Sequence, residues 1–113
     1  MSDPLDSASV AALKVAFLEH KVLAIRYQSI DPALLLAFSR HWGDVHMTGL
    51  PDQPEVFEIV TAPDAKRVFG NRWHSDQMYD PKPVNATVLY AKELPPAVGD
   101  TISANLETAY VAL

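Results

Sequence analysis

The chain has 113 residues, 49% of them hydrophobic and 20% charged, with a net charge of −5, which is the make-up of one small globular domain rather than a disordered segment. The acidic balance argues against nucleic acid as a partner, and no run approaches the length of a membrane helix. The absence of cysteine removes disulfides, thiolate metal sites and cysteine nucleophiles; no basic segment precedes an apolar run at Met1, so a cytoplasmic location is expected.

Residues 1–6 read as a loose leader to a single domain spanning 1–113. Asp6 or Ser7 is placed to cap a helix running to about His20, with Val10, Leu13 and Phe17 at helical spacing. Residues 22–27 are rich in branched and aromatic side chains and read as a short strand. A second helix follows, with Asp31 as N-cap, Pro32 at the first helical position and Gly43 as its stop. Its stripe of Leu35, Phe38 and Trp42 belongs to a core. Beyond Val45 the character changes to short apolar or alternating runs at 56–61, 68–79, 85–91 and 101–104, separated by proline and glycine. Helices followed by strands predict an α+β fold. Asn105 caps a last helix through Leu106, Ala109 and Tyr110. Leu113 falls within that helix, so the expectation is a chain that continues in a longer protein.

The chemistry lies in Trp73-His74-Ser75-Asp76. In an extended segment side chains alternate, so His74 and Asp76 share a face while Ser75 points away. An imidazole and a carboxylate so placed can each ligate one ion, which is two-thirds of the facial triad that leaves three positions open on Fe(II). His-x-Asp is weak by itself: four histidines and nine aspartates in 113 residues yield it about 0.3 times by chance, and an exposed hydrogen-bonded pair is its ordinary explanation. A Ser-His-Asp triad is excluded because neighbouring residues of one strand cannot converge. Asn85-Ala86-Thr87 fits a glycosylation acceptor, without a secretion route to use it.

The ordered set Gly70-Asn71-Arg72-Trp73-His74-Ser75-Asp76, Pro83, residues 88–96 ending in Pro95-Pro96, Gly99-Asp100-Thr101 and Ala109-Tyr110 resembles the taurine dioxygenase and dichlorophenoxyacetate dioxygenase (TauD/TfdA) family. The resemblance is strongest over 70–113 and extends back to Trp42-Gly43-Asp44. It implies the N-terminal part of a double-stranded β-helix, a cupin-like jelly roll with flanking helices whose barrel is incomplete in this chain. It also implies His74 and Asp76 as Fe(II) ligands, and Thr101 as the hydroxyl that binds 2-oxoglutarate. His46 and Asn71 fall where the family lines its substrate pocket, although a structural histidine and a turn asparagine account for them equally. Trp73 is expected to pack behind the ligands. Thr48 stands where a taurine-selective member would carry histidine, which counts against taurine.

The family also needs a downstream histidine ligand and an arginine for the distal carboxylate of 2-oxoglutarate. No histidine follows His74, and the last arginine is Arg72. The implied activity, hydroxylation of a small anionic substrate by O₂ with succinate and CO₂ as coproducts, therefore belongs to a complete protein, in which homo-oligomerisation stays open. This chain alone is expected to be inactive and prone to aggregate. The competing reading is a small-molecule or protein-binding domain with no metal; zinc-dependent hydrolysis would need more histidines and a nearby general-base glutamate.

Overall fold

The computed structural model describes residues 4–46, 55–62, 64–66, 68–97 and 99–113. Three helices form among them: α1 (Ser7–His20), α2 (Pro32–Ser39) and α3 (Leu106–Val111). The chain divides into two compact units, one of residues 1–29 with 90–113 and the other of residues 30–89.

In the first unit, α1 starts where its sequence supplies a cap. The Asp6 carboxylate accepts from the Ser9 amide at 2.7 Å, satisfying one of the amides that a helix start leaves without a partner. Val10, Leu13 and Phe17 are half-buried, whereas Val15 and Leu18 on other faces are 64% and 68% exposed. Lys21 ends the helix in the left-handed region at φ 65°, its amide donating to the Phe17 carbonyl at 2.7 Å. Its ammonium lies 2.7 Å from a Glu107 carboxylate oxygen. The Asn105 side chain accepts from the Thr108 amide at 3.1 Å and so caps α3.

In the second unit, Asp31 caps α2 by accepting from the Leu34 amide at 2.8 Å, and Pro32 occupies the first turn, where its missing N–H costs nothing. The helix closes at Ser39, earlier than Gly43. Its last turn tightens first, with His41 bonding back to Phe38 and Trp42 to Ser39, and Gly43 then reverses the chain at φ 145°. Phe38 is buried at 8% exposure and packs edge-on against Trp42, the ring centres 5.9 Å apart. Leu35 and Trp42 are half-buried beside it.

The expected strands are the main departure. Residues 22–27, 56–61, 68–79, 85–91 and 101–104 form no ladder among the described residues, which are helix, turn and irregular chain. Alternating side chains encode which face a strand would bury; the ladder itself requires a second backbone to exchange N–H···O bonds. The pattern survives in one segment. Val84, Ala86 and Val88 are half-buried while Asn85, Thr87 and Leu89 are exposed, the period-two burial of an extended run.

Candidate metal centre

Gly70 opens the segment that carries the candidate ligands. Its φ of 70° lies where residues with a Cβ are rarely found, and the turn delivers the chain into an irregular segment over 73–75. Asp76 begins the next turn. Gln77 follows in the left-handed region at φ 52°, the Asp80 amide donates to the Gln77 carbonyl at 3.0 Å, and the Asp80 carboxylate accepts from the Lys82 amide at 2.8 Å. His74 and Asp76 are thus bracketed by two chain reversals.

The two side chains meet: His74 Nε2 lies 3.3 Å from Asp76 Oδ1. Their other polar atoms are engaged. His74 Nδ1 is 2.7 Å from the Arg72 carbonyl oxygen, which can only accept, so that bond requires the proton on Nδ1. Asp76 Oδ2 accepts from the Thr87 hydroxyl at 2.5 Å. A neutral imidazole protonated on Nδ1 turns the Nε2 lone pair toward the carboxylate, so the pair is arranged to share a positive centre. A second proton would supply it, giving an imidazolium–carboxylate pair; a metal ion would supply it equally.

The spacing suits an ion. Two donors roughly 2.1 Å from one octahedral ion, at right angles to each other, stand roughly 3 Å apart. One imidazole nitrogen and one carboxylate oxygen also match the preference of non-haem Fe(II). Among the described residues no group of three or more His, Cys, Asp or Glu side chains comes together in a way that could hold a metal ion.

Asn71 is exposed directly after Gly70, and His46 is half-buried. Thr48 lies outside the described residues, as do residues 1–3 of the leader. Thr101 is exposed in the first unit, downstream of Gly99, whose φ of 87° and 3.1 Å approach of an added Cβ to Pro95 make glycine the fitting residue. Trp73 does not pack as expected. Its indole is 72% exposed, because a face of an extended segment is buried only when another layer lies on it. An open depression of about 520 Å³ is lined by Arg40, Gly43, Asp44, Val45 and Glu55, and neither His74 nor Asp76 borders it. Sequence reading missed Thr87, whose only signal was a hydroxyl on the outward face of the 84–90 run.

The profile of the "Taurine catabolism dioxygenase TauD, TfdA family" matches residues 1–113. The chain belongs to this family. Among its relatives, an alpha-ketoglutarate-dependent sulfate ester dioxygenase of Pseudomonas putida is 29% identical over 116 residues, covering all of this chain and 38% of the relative. An (S)-phenoxypropionate/alpha-ketoglutarate-dioxygenase of Delftia acidovorans is 26% identical, covering 96% of this chain and 42% of the relative. An alpha-ketoglutarate-dependent 2,4-dichlorophenoxyacetate dioxygenase of Cupriavidus pinatubonensis is 26% identical, covering all of this chain and 46% of the relative. The TauD/TfdA chain described here therefore spans less than half the length of these relatives. No solved structure matches it. Among the described residues no helix is long and apolar enough to cross a membrane.

Proposed function

We propose that residues 1–113 form part of a single TauD/TfdA-type domain, and that the whole protein is a cytoplasmic Fe(II)- and 2-oxoglutarate-dependent dioxygenase. The observation that carries this reading is the 3.3 Å approach of His74 Nε2 to Asp76 Oδ1, with the second polar atom of each side chain already bonded elsewhere. These residues supply two iron ligands. Thr101 binds a carboxylate of 2-oxoglutarate, and His46 and Asn71 contribute to the substrate pocket. The third ligand and the arginine that pairs with 2-oxoglutarate come from outside this chain, which alone is inactive.

The bound metal and cosubstrate supply O₂ activation, by which oxidative decarboxylation of 2-oxoglutarate to succinate and CO₂ is coupled to hydroxylation of a substrate C–H bond. The protein's own part is geometric. The Arg72 carbonyl holds the imidazole tautomer that presents Nε2, the Thr87 hydroxyl turns the Asp76 carboxylate, and the 70–80 turns fix both side chains on one side of the chain. The substrate is a small anionic molecule, a sulfonate or an aryloxy or carboxylic acid. The sulfate ester, phenoxypropionate and dichlorophenoxyacetate named for the relatives support that class.

The test is succinate formation by the whole protein, supplied with Fe(II), 2-oxoglutarate and O₂, against a panel of alkyl sulfonates, sulfate esters and aryloxy acids. Succinate released in proportion to one hydroxylated substrate supports the proposal. A full-length protein that takes up no Fe(II) and leaves 2-oxoglutarate intact with every member would favour the metal-free binding domain.

A further inference from the structure

We infer that Thr87 is a positioning residue for the metal centre: its hydroxyl holds one oxygen of Asp76, so that the carboxylate presents the other as a single-point ligand beside His74. The inference rests on the ligand assignment proposed above and adds a residue to it. Asp76 can ligate through either oxygen or both, and it can rotate about two side-chain torsions. Thr87 Oγ1 donates to Oδ2 at 2.5 Å, at the short end for a hydroxyl on a carboxylate, while Oδ1 faces Nε2 of His74 at 3.3 Å. Occupying Oδ2 leaves Oδ1 as the oxygen directed at the site.

Thr87 is itself held in place. It lies on the exposed side of the 84–88 run, two residues from Asn85, whose side-chain amide donates to the Trp42 carbonyl at the end of the tightened turn after α2. The two polar residues of the Asn85-Ala86-Thr87 tripeptide thus bond in opposite directions, one back to the helix and one to the candidate ligand. That arrangement gives the tripeptide a role inside the protein without glycosylation. The hydroxyl restrains a ligand without adding a competing donor to the ion, as bonded partners of ligating carboxylates do in metal sites generally.

The experiment is anaerobic Fe(II) titration of the whole protein with 2-oxoglutarate present, followed by the charge-transfer absorption of the chelate, on wild type, Thr87→Val, Thr87→Ser and Asp76→Ala. Thermal unfolding of each metal-free protein is measured alongside. Thr87→Val, which keeps the shape and loses the hydroxyl, is expected to weaken Fe(II) binding about 10- to 100-fold with the metal-free protein folded as before, and Thr87→Ser to restore it. Binding by Thr87→Val equal to wild type, with Asp76→Ala deficient, would overturn the role of Thr87 and leave the ligand assignment standing. Loss of the metal-free fold in Thr87→Val would make the residue structural and overturn the inference, as would failure of Thr87→Ser to restore binding. Undiminished Fe(II) binding by Asp76→Ala would remove the ligand assignment, and this inference with it.

Discussion

The side-chain amide of Asn85 donates to the backbone carbonyl of Trp42 across 43 positions of sequence, at 3.1 Å. This bond ties the end of the α2 region to the extended run that presents Thr87 to Asp76. Gly43, next to the acceptor, has φ 145°, and a Cβ built there would stand 3.1 Å from the same Asn85 nitrogen. Asn85→Ala is therefore expected to lower the unfolding free energy by about 1 kcal/mol. Gly43→Ala is expected to cost at least as much, since it adds backbone strain to displacement of the amide. Denaturant unfolding of both variants checks this; unchanged midpoints would mean that the bond does not hold the segment.

Asp31 begins α2 with a side-chain cap, and the stripe behind it carries Phe38, the buried apolar residue of the described chain. Asp31→Ala is expected to destabilise the protein by about 1 kcal/mol, and Asp31→Ser to recover most of the loss. Equal stability of Asp31→Ala and wild type in thermal melts would show that packing alone sets the start of the helix.

Several exposed carboxylates are held below their ordinary values by hydrogen bonds and nearby charge. Asp6 is lowered by its bonds from Ser9, Asp44 by the bond and charge of Lys82, and Glu107 by those of Lys21. A carboxylate whose folded value is depressed stabilises the fold above its unfolded value, and that contribution is lost as pH falls through the folded one. For Asp6 and Asp44 the loss thus begins below about pH 4, their ordinary value being 3.8. Lys82 is raised above 10.5 by Asp44, so its share is present below that pH and lost as the pH climbs through the raised value. Helicity followed by circular dichroism should decline on acidification below pH 4, and Asp6→Asn should flatten the part that belongs to α1. High salt should weaken the Asp44–Lys82 contribution, since both partners are exposed.

Large apolar side chains lie open along the chain, among them Trp73 at 72%, Tyr79 at 84%, Leu94 at 76% and Tyr110 at 79% exposure. Surface of this kind on a soluble chain marks either a covered interface or an aggregation liability. The 113-residue chain expressed alone is expected to bind a hydrophobic dye and to associate with rising concentration. A dye-silent monomer in light scattering would contradict this.

The helices were legible because their signals are local. Asp6, Asp31 and Asn105 each cap an amide three residues on, and Pro32 sits where the first turn admits it. The His74–Asp76 contact is likewise local, between residues two apart, although it forms at the start of a turn and not on the strand the sequence suggests. The runs at 56–61 and 101–104 read as strands yet form no ladder among the described residues, because a sequence specifies faces while pairing depends on distant backbone. The exposure of Trp73 and the part taken by Thr87 were equally hidden. One depends on whether a layer covers it, the other on an eleven-residue separation that no local pattern announces.

Fe(II) binding by the whole protein in the presence of 2-oxoglutarate tests the proposed ligation of iron by His74 and Asp76. Wild type is expected to bind, and His74→Ala and Asp76→Ala each to lose the 2-oxoglutarate-dependent binding while remaining folded. Binding that persists unchanged in both variants would show that the pair is an ordinary exposed imidazole–carboxylate contact and that the metal, if held, is held elsewhere.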